Sequence, residues 1–164
     1  HFDYNDSLIS ANLQIIKCLN NEIDKIEKEI NSIMSTINSP IVSIPGISAI
    51  SAASIIGEFE DFSRFDNAKQ LCAFCSIEPS IYQSGTSYHE GKMVKHGSSN
   101  LRRTLFNVVP YIIMHNETFK TFYNKKRSEG KAYRVAQSYI VKKLLRVIFT
   151  LEMTGNTFDP SKLY

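Results

Sequence analysis

Apolar residues recur over the first part of the chain at alternating spacings of three and four: Ile9, Ile16, Leu19, Ile23, Ile26, Ile30, Ile33 and Ile37, with Asn12 in the one polar place. This is the a/d seam of a heptad repeat, and no Gly or Pro interrupts it before Pro40. The pattern predicts one long helix, capped at Asp6 or Ser7, that packs as a coiled coil with Asn12 fixing register. Asn20, Glu22, Glu27 and Glu29 flank the middle of the seam, so self-pairing sets acid near acid. Such exposed pairs cost only about 0.2–0.5 kcal/mol each. Burying an isoleucine contributes about 1.5–3 kcal/mol, so the seam outweighs the repulsion and a homo-oligomer through the coiled coil is expected.

Beyond Pro40 the periodicity changes. Residues 41–57 read as a helix, a tight turn at Pro45-Gly46 and a second helix of small and apolar residues. This is the pattern of a helix-hairpin-helix, which grips a backbone phosphate through N–H groups at Gly46 and at the second helix start near Ser48. Ser48 stands where the motif often has a second glycine, so a hairpin that only packs is the competing reading. Helical pattern resumes at 67–75, breaks over 79–97 and returns at 99–116 and 117–123. A basic turn at 125–131 precedes a last amphipathic helix over 132–153, stopped by Gly155. Short strand candidates at 81–82 and 93–94 would make a small hairpin flanking Ser84. The fold class is therefore mainly α. A coiled-coil helix occupies 1–39, and 40–164 form a compact helical domain with a helix-hairpin-helix and one short β-hairpin.

Composition is that of a globular protein, at 43% apolar and 21% charged residues. The net charge of +3 conceals an asymmetry: residues 1–90 hold five Lys/Arg against twelve Asp/Glu, and residues 91–150 hold thirteen against two. A half so basic favours a polyanion through counterion release. No apolar run approaches the roughly 20 residues that span a bilayer, and no signal peptide is present, so no membrane partner and a cytoplasmic location are expected. The chain opens on His1 rather than Met, which points to a piece of something longer. Cys18, Cys72 and Cys75 are odd in number, against a disulfide framework and for a reducing compartment. Cys72 and Cys75 form a CxxC with no second ligand pair for zinc, and read as core.

The segment 79–103 concentrates the candidate chemistry. Ser84-Gly85 is followed by Lys92, Lys95, Gly97, Asn100, Arg102 and Arg103. A hydroxyl among cations, with glycines that admit backbone N–H groups to phosphate oxygens, suits a phosphodiester. Serine is a weak nucleophile near neutral pH and needs a base; His89 and His96 are the local candidates. No Gly-x-Ser-x-Gly elbow and no acid to orient a histidine mark a hydrolase, so activation from outside the chain is expected. Tyr82 and Tyr88 rank below Ser84 as nucleophiles.

Ile44-Pro45-Gly46-Ile47, Phe65, Ala68-Lys69-Gln70-Leu71, Pro79, Ser84-Gly85, Gly91, Lys95-His96-Gly97 and Leu101-Arg102 occur in that order over most of the chain. The series resembles the C-terminal domain of bacterial DEDD-type insertion-sequence transposases, the IS-one-ten family, to which the Piv DNA invertases are related. The resemblance implies that Ser84 is the nucleophile that joins DNA covalently and that Arg102 contacts phosphate. It also implies an upstream ribonuclease-H-like domain whose four carboxylates hold Mg²⁺, a coiled coil that brings protomers together and, in some members, a guide RNA. No cofactor is expected in this fragment, which on its own would be half an active site. The expected function is DNA strand cleavage and transfer through a phosphoserine. The alternatives are a non-catalytic helix-hairpin-helix DNA-binding module and a coiled-coil assembly domain.

Overall fold

Asn38 and Pro40 mark the first break in the chain. The computed structural model describes residues 2–77, 79–84, 87–93 and 97–162, with side chains described outside 2–6 and the two strands. It divides into two units, His1–Asn38 and Ser39–Tyr164. The first is a single helix, α1 (Phe2–Ile37), ended by Asn38 in the left-handed conformation at φ 51°. Asparagine tolerates that conformation at a helix end. The seam residues Ile9, Ile16, Leu19, Ile23, Ile26, Ile33 and Ile37 all lie exposed along α1, each by half or more of its surface. Leu8, Leu13 and Ile15 are exposed as well and widen the stripe around Asn12.

In the second unit, Ser39 accepts a hydrogen bond from the Ile41 N–H and opens a 3-10 turn at Pro40–Ser43. The expected first arm of the helix-hairpin-helix is this single turn rather than an α-helix. Two prolines five residues apart leave no room for one, and Pro45 pushes Ile44 into extended backbone at φ −76°, ψ 117°. The turn at Pro45-Gly46 leads to α2 (Ala49–Phe59), capped by Ser48. A cluster of Phe59, Phe62, Phe65 and Phe74 joins α2 to α3 (Ala68–Phe74), with ring centroids 5.0–5.7 Å apart.

Next come β1 (Pro79–Ser84) and β2 (Ser87–Met93), an antiparallel pair longer than the sequence fragments suggested. Three helices complete the unit: α4 (Ser99–His115), α5 (Glu117–Ser128) and α6 (Tyr133–Thr154). Asn116 ends α4 by donating its N–H to Ile112 and starts α5 by accepting from Thr118 and Phe119. The basic segment expected as a turn is largely the last part of α5, and the break falls at Gly130, φ 79°. α6 is the core helix. It packs on α3, α4 and α5 and buries Ile140, Val141, Leu144, Leu145 and Ile148 completely. Its C-terminal end is tied to the first turn of the unit, where the Ser39 hydroxyl donates to Glu152 at 2.5 Å and Ser43 accepts from the Phe158 N–H at 2.8 Å.

Candidate nucleic-acid interface

Ser84 is the last residue of β1 and pairs with Ser87 of β2; one position on, Gln83 pairs with Tyr88, and Tyr82 pairs with His89. Lys92 lies near the end of β2. Gly85, Lys95 and His96 fall outside the described residues.

The described residues on either side of the hairpin are tied to one another. Ser76, just before it, accepts a hydrogen bond at 2.6 Å from the backbone N–H of Gly97, just after it. Ser76 is buried and left-handed at φ 50°, a conformation unfavourable for a serine unless its surroundings enforce it. Gly97 is there for a steric reason: a Cβ would sit 1.9 Å from the Phe74 carbonyl oxygen. Arg102 adds a third tie by donating at 3.2 Å to the Cys75 carbonyl at the end of α3, where a cation also suits the free carbonyls. Beside it the Ser98 hydroxyl caps α4 by accepting from the Leu101 N–H, and it donates to Glu58 of α2 at 2.6 Å. Residues 75, 76, 97 and 102 thus form a clasp that ties the chain before the hairpin to the chain after it, at the start of α4.

The cations meet at this same end of α4. Arg102, Arg103 and Arg134 line an open groove of about 520 Å³ with Phe106 and Asn107. Among the described residues none of the three arginines pairs with a carboxylate, whereas Arg64, for comparison, lies 3.7 Å from Glu60. Arg103 is exposed, and Arg102 keeps donors beyond the one given to Cys75. Asn100 is exposed on the first turn of α4.

Gly46 and Ser48 stand apart from that end. Gly46, at φ 96°, lies against the α4 backbone, where a Cβ would fall 2.7 Å from Ile112 N and Tyr111 C. That point is nine residues from Arg102 and Arg103, about 14 Å along the helix. The Ser48 hydroxyl is occupied in capping α2, accepting from the Ser51 N–H at 3.2 Å and bonding the Ser51 hydroxyl at 3.1 Å. Close packing therefore accounts for Gly46 by itself.

Sequence reasoning left Arg134 out of the core site. Thirty residues separate it from its neighbours, and its only signal was a basic residue at the start of a helix. The Ser76 and Glu58 roles had no signal in the sequence. Cys72 and Cys75 are both buried; burial, reinforced by Cys72, pushes the Cys75 thiol up, so it stays protonated as core. Among the described residues no group of three or more His, Cys, Asp or Glu comes together. No helix among them is long and apolar enough to cross a membrane.

A mainly helical domain with a hairpin clasped at its base and an arginine groove at the start of α4 is the class that the fold and site define. The model of the Transposase IS116/IS110/IS902 family matches residues 38–124, more than half of the chain, and the chain belongs to that family. It is 23% identical over 136 residues to the "Insertion element IS110 uncharacterized 43.6 kDa protein" of Streptomyces coelicolor, covering 82% of this chain and 34% of that protein. It is 27% identical over 125 residues to the "Pilin gene-inverting protein" of Moraxella bovis, and likewise to that of Moraxella lacunata, covering 74% of this chain and 38% of each. The chain thus spans little more than a third of the length of these relatives.

Proposed function

We propose that this chain is the serine-bearing half of a DNA transposase or recombinase, acting by strand transfer without net hydrolysis. The observation that carries the reading is the clasp at the base of the hairpin whose first strand ends at Ser84, which ties that base to the start of α4, where Arg102 and Arg103 lie. The Ser84 oxygen forms a bond to phosphorus as the bond to the 3′ oxygen breaks. The serine proton passes to a base brought by the other half, and the 3′ oxygen leaves as a hydroxyl. A 3′-hydroxyl from another strand then attacks the phosphoserine, the serine oxygen departs and regains its proton, and one phosphodiester has replaced another. Bond energy is conserved, so no ATP is needed. Arg103 and Arg134 hold phosphate oxygens, Asn100 adds a donor at the start of α4, and Arg102 does so while bracing the clasp.

The family expectation of Mg²⁺ belongs to carboxylates of an upstream ribonuclease-H-like domain. The described residues of this chain do not fit a Mg²⁺ cage, and no step above runs through one. The exposed seam of α1 pairs with a second copy, bringing two such halves together, and a guide RNA is a further partner of the whole protein. The name of the Moraxella relatives supports DNA rejoining as the chemistry.

The test is covalent trapping of labelled element-end DNA by the full-length parent protein with Mg²⁺. Wild type should give a protease-sensitive, slow-migrating adduct that Ser84→Ala abolishes. Cutting without an adduct, or an adduct that survives the substitution, would reduce this domain to a DNA clamp.

A further inference from the structure

The far part of α6 carries cations that the proposed serine site does not use. Arg146 lies twelve residues beyond Arg134, about 18 Å along the helix axis. There an open groove of about 840 Å³ runs between α5, α6 and the segment after Gly155, with Lys126, Lys142, Lys143 and Arg146 beside the rings of Phe122 and Tyr139. The Lys143 amine stands 4.8 Å from the Phe122 centroid, and the Lys126 amine stands 5.0 Å from that of Tyr139. Lys126 is paired with Glu129 at 2.8 Å. Lys142, Lys143 and Arg146 pair with no carboxylate among the described residues. One acid, Asp159, is on the rim, engaged by Ser161 and, at 3.9 Å, by Lys162. Desolvation without an acid partner holds Lys143 below its ordinary value, a cost that an anion entering the groove would offset.

We infer that this groove is a second nucleic-acid site, which holds a single strand with its phosphates on Lys142, Lys143 and Arg146 and its bases against Phe122 and Tyr139. Cations alone would suit any polyanion. Rings within about 5 Å of the amines add a stacking surface that only unpaired bases can use, since a duplex keeps its bases stacked inside. The volume suits roughly one or two nucleotides of a strand. The inference rests on the reading above only in taking nucleic acid as the ligand, and it is independent of Ser84.

The test measures binding of this chain to labelled oligothymidine, oligouridine and duplex DNA, each of about 12 residues, between about 50 and 200 mM salt. Lys142→Gln/Arg146→Gln should weaken single-strand binding about tenfold and reduce the salt slope by about 1.4, with duplex binding unchanged. Arg103→Gln/Arg134→Gln should weaken duplex binding instead. The tighter of the two single strands identifies DNA or RNA as the source. If the first pair binds single strands like wild type while the second loses DNA, the groove inference falls and the serine-site reading stands. If the first pair loses duplex and single strand alike, the groove is general basic surface and the inference also falls. A wild type that binds none of the three would sink both readings. Should circular dichroism show the first pair misfolded, exposed Arg146→Gln alone should lower the slope by about 0.7.

Discussion

Helices α1 and α6 both carry isoleucine and leucine at helical spacing, and they end in opposite circumstances. α6 buries its apolar face against α3, α4 and α5, with five aliphatic residues from Ile140 to Ile148 fully covered. α1 leaves Ile9, Ile16, Leu19, Ile23 and Ile26 more than half exposed. Periodicity defines a stripe in both, because it depends only on 3.6 residues per turn. What covers the stripe depends on chain far away in sequence, or on another molecule. The charges on the two helices differ in the same sense: α1 carries acids beside its seam, and α6 carries beside its buried face cations that pair with no carboxylate among the described residues.

The comparison breaks most readily at α6. Leu144→Ala should destabilise the Ser39–Tyr164 unit by about 2–5 kcal/mol, read from the denaturant midpoint. A cost below about 1 kcal/mol would mean that α6 is not the core helix. Next is the clasp between body and hairpin. Gly97→Ala should cost about 1–3 kcal/mol, because its methyl meets the Phe74 carbonyl and the neighbours that must shift are backbone. An alanine variant as stable as wild type would show that the clasp yields freely. The smallest effect on unfolding belongs to the seam. Ile16→Asp/Ile23→Asp should leave the denaturant midpoint of the Ser39–Tyr164 unit within about 0.5 kcal/mol of wild type, yet lower the mass in sedimentation equilibrium to that of one chain. Equal masses for wild type and variant would remove α1 as the assembly element.

Much of this was legible beforehand, for local reasons. The a/d spacing and the absence of breakers before Pro40 predicted α1, though it starts at Phe2 rather than at a cap on Asp6 or Ser7, and Gly155 stopped α6 where a left-handed glycine, φ 67°, closes it. Strand candidates on either side of Ser84 pointed to a hairpin, and β1 ends at Ser84. The misreadings were of competition between neighbours. The segment before Pro45 has helical composition, but two prolines confine it to one 3-10 turn. The basic run after Tyr123 looked like a turn, yet α5 continues through it to Ser128, where the Ser128 hydroxyl bonds the Lys125 carbonyl.

By itself, then, the sequence determined most of the helical segments, where the apolar stripes run, and that Ser84 precedes a basic half. Those properties follow from short-range periodicity, turn residues and charge. Tertiary structure alone decided that Gly97 must be glycine, that Arg102 braces the Cys75 carbonyl, and that Arg134 joins Arg102 and Arg103. It alone drew Phe122 and Lys143 into one groove. Each of these is a contact between residues far apart in the chain, fixed by how helices pack, and no spacing rule along a single segment encodes it.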